Sequence, residues 1–183
     1  MKNCLHAVVL YIYCLKTSEL ILCALLAALV ICCISKKYSD RQWLRPCARL
    51  ALVLWFGVVL WMTLLSRDPG PYAINWIPAH TYREILSGTN PEAFRSAAMN
   101  MMLFYPSGLL WGSLIPQSRS FPRSAFPAVA LLSLFSLMIE LSQYYFRLGV
   151  SEFDDVLHNT LGAAIGFSLF YLFKKHSDIR KND

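Results

Sequence analysis

Charged side chains are scarce in this sequence. Only 15% of its 183 residues are Asp, Glu, Lys or Arg, against about 25% in ordinary soluble domains. Acids are fewer still, 11 against 17 bases. The six cysteines, Cys4, Cys14, Cys23, Cys32, Cys33 and Cys47, stand at no metal-ligand or disulfide spacing. Four of them fall within apolar runs, where a thiol behaves as a small hydrophobe. The sequence also lacks a zinc-binding histidine pair on one helix, a phosphate-cradling glycine loop, a dinucleotide fingerprint and a Ser-His-Asp pattern. No metal and no cofactor is therefore expected.

Apolar residues are what the sequence has in quantity, 56% of the total, with a mean hydropathy of +0.44. They gather into five blocks, roughly Thr17–Ile34, Ala48–Leu65, Ser96–Ile115, Ala125–Phe146 and Phe153–Phe173. Each is near the about 20 residues that cross a hydrocarbon core of roughly 30 Å. The expected fold is all-α, an integral membrane bundle of about five transmembrane helices. Residues 1–16 hold an apolar run, Leu5–Leu15, that looks like a signal-peptide core without a small-x-small cleavage site. They read as a retained extracytoplasmic or interfacial segment. Residues 17–65 then form two helices around a basic loop, and 66–173 three helices and an outer loop. Residues 174–183 form a tail.

The net charge of +6 points to sidedness rather than to nucleic acid. Under five spans, eleven of the 17 bases fall on one side, with only Asp40, Asp178 and Asp183 beside them. The other side carries six bases and eight acids. Lys/Arg excess marks cytoplasmic loops, which predicts a multi-pass protein of the bacterial inner membrane, its N-terminus outside and its C-terminus cytoplasmic. Anionic headgroups attract each nearby cation by about 1 kcal/mol, so membrane lipids are the expected partner and nucleic acid is not. The sequence leaves the oligomeric state open.

After the second span, "SRDPGPY" (Ser66–Tyr72) is rich enough in proline and glycine to end a helix. The loop that follows runs to Arg95 and contains "NWIPAHTYREIL" (Asn75–Leu86), with Ser87 and Gly88 as a helix stop. Asn90, Pro91 and Glu92 read as N-cap, first-turn proline and first-turn acid of the next helix.

The polar residues inside the blocks are not scattered. At about 100° per residue, Ser133, Ser136, Glu140, Gln143 and Arg147 share one face of the fourth span within roughly 80° of arc. Asp155, Asn159, Gly162 and Gly166 share a face of the fifth within about 60°, bordered by His158. Ser96, Asn100 and Ser107 align on the third, which also holds Pro106. By depth, Asn100, Glu140, Gln143, Arg147, Asp155, His158 and Asn159 converge in the outer half of the membrane. A charged group at that depth costs several kcal/mol unless paired or wetted, which makes a functional cavity the default reading. Gly162 and Gly166 form a G-x-x-x-G that admits a neighbouring helix and would floor the pocket. Plainer roles stand beside these: Asp154 as a dipole partner at a helix start, His158 as an interfacial histidine, Asn100 and Asn159 as interhelical hydrogen bonders. Polarity stops below Ser133 and Gly162, which argues against a through-path for transport. A scaffold holding partners through Gly162 and Gly166 is a further reading.

The ordered stretches "NWIP" (Asn75–Pro78), "NMMLFYPSGLLWG" (Asn100–Gly112), "SLMIELSQYYF" (Ser136–Phe146) and "DDVLHNTLGAAIG" (Asp154–Gly166) carry a resemblance. The chain resembles the VanZ-like membrane proteins from about Ala73 to Phe170. The motif positions are Asn75, Pro78, Asn100, Phe104, Pro106, Gly108, Glu140, Gln143, Arg147, Asp155, Asn159 and Gly162. In that family phenylalanine usually follows the Asn-x-x-Pro segment, where Ala79 stands here. The resemblance implies a link to teicoplanin resistance that does not involve replacing the D-Ala-D-Ala target. The leading expectation is an outward pocket that binds a lipid-linked or lipophilic molecule, such as an envelope precursor or a lipoglycopeptide. Its expected ligand-binding residues are Asn75, Asn100, Glu140, Gln143, Arg147, Asp155, His158 and Asn159, with Arg147 meeting an anionic headgroup. Pro78, Pro106, Gly108, Gly162 and Gly166 would shape it. The alternative is a membrane-embedded enzyme acting on a lipid-linked substrate, with Glu140 and Asp155 as acid-base groups.

Overall fold

The computed structural model describes residues 44–115 and 120–182. The expected span Thr17–Ile34, the segment 1–16 and most of the first basic loop lie outside the described residues. Among the described residues five helices dominate: α1 (Leu44–Leu60), α2 (His80–Ser87), α3 (Ala93–Leu114), α4 (Phe121–Phe146) and α5 (Phe153–Asn182). The last four apolar blocks fold as α1, α3, α4 and α5, and the short α2 corresponds to none of them. Helix α1 runs into a π turn, Trp61–Leu65, closed by Ser66 N donating to Trp61 O at 2.9 Å. Two strands of three residues, β1 (Ala73–Asn75) and β2 (Val150–Glu152), pair in parallel with Ala73 opposite Val150 and Asn75 opposite Glu152. Strands of three residues are too short to mark the hydropathy pattern.

Helices α3 and α5 run side by side in the same direction. Gly162 of α5 packs on the backbone of Met101, Gly166 on that of Tyr105, and Gly108 of α3 on that of Ala163. A β-carbon at Gly108 would stand 2.7 Å from the Ala163 carbonyl carbon, a separation no side chain tolerates. The glycines are therefore the means by which two backbones touch. Helix α4 runs antiparallel to α5, stitched by Asn159 Nδ2 to Ser136 Oγ at 2.8 Å and Thr160 Oγ1 to Ser133 Oγ at 2.9 Å. Helix α1 reaches α3 through Trp55 Nε1, which donates to Leu103 O at 3.0 Å. All four long helices meet in one core of Val59, Phe104, Leu132, Ile139 and Ala163.

Among the described residues, three stretches are long and apolar enough to cross a membrane: Arg45–Leu65, Phe121–Phe146 and Phe153–Lys175. The expected span Ser96–Ile115 does fold as a helix, α3, but is not one of these three. The physical reason is its position. Ser107, Gly108, Leu109, Leu110 and Gly112 are all buried, so its small and polar residues face neighbouring helices and it needs little oil-soluble surface. Lipid-soluble surface sits instead on the outer helices, where Leu50, Val53, Leu54, Leu131, Leu134, Leu161 and Leu172 are exposed. A belt of that kind suits acyl chains rather than water. Pro106 lies inside α3 and is buried.

A buried polar centre at the sheet end

The end of α1, the starts of α3 and α5, the end of α4 and the two strands meet at one end of the bundle. Glu140 stands there on α4, 2% exposed. Its Oε2 accepts a hydrogen bond from Glu152 N at 2.9 Å, so β2 closes over it. The Asp155 and Glu152 carboxylates lie within electrostatic reach of Glu140, opposed by the Arg67 guanidinium. At Glu152 itself, burial and then the neighbouring Asp155 push the carboxyl above its ordinary range, while His80 acts against the shift. Three acids thus share a small volume that has too few cations to neutralise them.

Asp154, one residue before Asp155, does something different. Its Oδ1 accepts from Ala79 N and its Oδ2 from Thr81 N, both at 2.8 Å. The carboxylate takes the free amides at the start of α2, the role a capping side chain normally plays from within the helix. It also holds Ala79 at φ 62°, a left-handed conformation that costs an L-residue about 1–2 kcal/mol. The loop Asn75–Ala79 is therefore fastened to the first turn of α5. At the far end of α2, Gly88 closes the helix at φ 67°, the stop expected from Ser87 and Gly88.

His158 is wholly buried, and neither ring nitrogen has a hydrogen-bond partner. Its Nδ1 is 3.9 Å from Asp155 Oδ1, beyond hydrogen-bond range, and the Tyr82 ring meets it edge-on at 5.5 Å between centroids. Asn159 Oδ1, Gln143 Oε1 and Asn100 Nδ2 are likewise buried and unpartnered, although Gln143 Nε2 donates to Thr63 O at 3.1 Å. Buried polar atoms in folded proteins nearly always have a partner, and the open ones on His158, Asn159 and Gln143 set this end apart from the apolar core.

Of the residues expected to converge, Glu140, Asp155, His158 and Asn159 gather at this end with Gln143, and Asn75 lies in β1 in register with Glu152. Pro78 is exposed in the loop before α2. Asn100 lines a separate cavity of about 320 Å³ between the end of α1 and the start of α3, along with Thr63, Arg67 and Arg95. Arg147 does not join them. It is the residue that ends α4, with φ 59° and ψ 38°, and its guanidinium lies exposed over the Tyr72 ring at 4.0 Å. The expected inward face holds only while the helix lasts, and it stops at Phe146. Sequence reasoning missed Glu152 and Arg67 as members of the centre; one lies in a strand too short to read, the other beyond a helix end. Among the described residues no group of three His, Cys, Asp or Glu is placed to hold a metal ion.

The family model described as VanZ/LLP1 matches residues 49–174, more than half of the chain. Protein VanZ of Enterococcus faecium is 27% identical over 140 residues, covering 74% of this chain and 81% of that protein. No solved structure matches the chain.

Proposed function

The chain belongs to the VanZ/LLP1 family, and from that premise we propose that this membrane protein binds a lipid-linked or lipophilic envelope molecule at the sheet end. We place that end at the outer leaflet. Arg45, Arg49, Arg123, Lys174 and Lys175 stand at the opposite end of the helices, with Asp178 the lone acid in that part of the described chain. The Lys/Arg rule assigns such an end to the cytoplasm. The protein then crosses the membrane several times and its C-terminus is cytoplasmic.

One observation carries the reading. Glu140 is buried in an apolar helix beside Asp155 and Glu152, with open nitrogens and oxygens on His158 and Asn159. Such groups are expensive inside a membrane and are retained where they meet a ligand. Carboxylates accept hydrogen bonds, so the matching ligand offers donors, such as sugar hydroxyls or amines. Lipid-linked envelope precursors and lipoglycopeptides both carry such donors on an apolar anchor, which would connect this site to teicoplanin susceptibility. Arg147 has no part in it. The test places Glu140→Ala and Asp155→Ala in a host whose glycopeptide susceptibility changes on deletion of the gene. With membrane levels verified as equal, both variants are expected to behave like the deletion. Wild-type susceptibility in both removes the proposal.

A second reading is favoured by the open His158 nitrogen facing Asp155. It makes the centre acid-base machinery of an enzyme acting on a lipid-linked substrate, with Glu140 or Asp155 as the base. Purified protein incubated with such substrates would form product, and would not with Glu140→Gln.

A further inference from the structure

The cavity beside the acidic centre has the opposite character. Arg67 enters it from just past the π turn of α1, and Arg95 from the first turn of α3. Asn100 lines it one turn deeper, with its buried Nδ2 unpartnered. The charged residues of the lining are Arg67, Arg95 and Glu92, which leaves one net positive charge.

Both guanidinium groups are held in place. Arg67 Nη1 donates to Leu148 O at 3.1 Å. It lies over Gly149, where a β-carbon would stand only 2.8 Å from it. Gly149 has φ 116°, so the bend after α4 is bare where Arg67 crosses it. Arg95 Nη1 donates to Glu92 Oε2 at 3.0 Å, and Glu92 N is tied to Asn90 Oδ1 at 3.1 Å. A guanidinium has five N–H donors in a fixed fork, so the bond to Leu148 O leaves Arg67 others to turn toward the cavity. The start of α3 adds the positive end of its dipole.

We propose that this cavity is an anion subsite that takes a phosphate group, with Arg67 and Arg95 gripping its oxygens and the Asn100 amide donating from below. The inference deepens the proposed function. It rests on the reading that this end meets a membrane surface, and it supplies the anionic contact that Arg147 does not make. A ligand with a hydroxyl-rich or amine-bearing part on the acidic centre and a phosphate in this cavity would span two sites of opposite charge. Arginine suits the second, because its planar fork matches phosphate oxygens in pairs.

The test uses the purified full-length chain in an uncharged maltoside detergent. Binding is measured for dioctanoyl phosphatidic acid, for dioctanoylglycerol, which lacks the phosphate, and for inorganic phosphate. Phosphatidic acid is expected to bind and dioctanoylglycerol to bind at least tenfold more weakly. Arg67→Gln and Arg95→Gln should each weaken phosphatidic acid about tenfold or more, the usual worth of one charge-assisted contact. Arg83→Gln, an exposed change at the same end, should leave it unaltered. Inorganic phosphate that binds as well as phosphatidic acid identifies a free anion as the source; phosphate that binds far more weakly identifies a lipid headgroup. Equal affinity in wild type, Arg67→Gln and Arg95→Gln overturns the subsite. So does a failure of phosphatidic acid to bind, or an equal loss in Arg83→Gln. Susceptibility changes in Glu140→Ala and Asp155→Ala are read in cells, so the acidic centre stands or falls separately from this cavity.

Discussion

Alanine at Gly108 adds a single methyl group to the seam between α3 and α5. A β-carbon there would stand 2.7 Å from the Ala163 carbonyl carbon and 2.9 Å from its α-carbon. Carbon atoms rest at about 3.5–4.0 Å, so the two helices must part by about 1 Å. The obstacle is backbone, which cannot rotate aside as a side chain can. A gap of that size forfeits about a quarter to a half of each dispersion contact along the interface, and the Gly162 and Gly166 contacts lie on the same seam. Overpacked cores lose about 1–3 kcal/mol, and a rigid obstacle puts Gly108→Ala near about 3 kcal/mol. At about 2–4 °C per kcal/mol for a chain of this size, the melting temperature should fall by about 6–12 °C. Gly57 gives the matched control. Nothing lies within 4 Å of its absent β-carbon, and alanine there should gain up to about 1 kcal/mol from helix propensity alone. The assay is thermal unfolding of the purified protein in mild detergent, followed by circular dichroism. Equal shifts in the two variants, or a more stable Gly108→Ala, would refute a seam of backbone on backbone.

Three further outcomes follow from the sheet end. Asp154→Asn keeps the size of the side chain but replaces one acceptor oxygen with a donor, so Ala79 N or Thr81 N loses its partner. Trypsin should then cut after the exposed Arg83 several-fold faster, and an unchanged rate would show that Asp154 does not fasten the loop. The raised Glu152 carboxyl gives a pH dependence with a definite sign. Folded protein keeps that proton where the unfolded chain has lost it, so this contribution to stability is present below the ordinary value of 4.5 and is lost as pH rises toward the raised value. Glu152→Gln should flatten that part of a melting-temperature profile taken from about pH 4 to pH 8, and a profile of unchanged slope would contradict the assignment. In cells, Glu140→Ala and Asp155→Ala should match the gene deletion in glycopeptide susceptibility, at equal membrane levels.

Periodicity read the helices well wherever they continue. Ser136, Glu140 and Gln143 are buried on one face of α4, and Asn159, Gly162 and Gly166 on one face of α5, as a repeat of 3.6 residues requires. The same extrapolation failed at Arg147, because one left-handed residue turns the chain and cancels the azimuth. His158 borders the polar face as its azimuth requires, but it is no interfacial histidine: it is wholly enclosed, with the Tyr82 ring of α2 edge-on to it. That cover could not be anticipated. Helix α2 is positioned by a carboxylate more than 70 residues away in sequence, and the strands beside it have three residues each. Contacts that distant leave no local pattern. Asp154 and Asp155 illustrate the limit: identical neighbours at a helix start, of which one ties down a loop and the other faces the polar centre.

The strand pairing has a consequence for how the protein is made. Val150–Glu152 and the first residues of α5 supply the amide that Glu140 accepts from, the carboxylate that holds Ala79 and Thr81, and the partner of β1. All of these emerge from the ribosome after α1, α3 and α4. Until then Glu140 lacks its β2 amide, and the loop before α2 has nothing to fasten it. A nascent chain halted before Val150 would thus contain most of the apolar mass of the protein and none of the closure of its polar end.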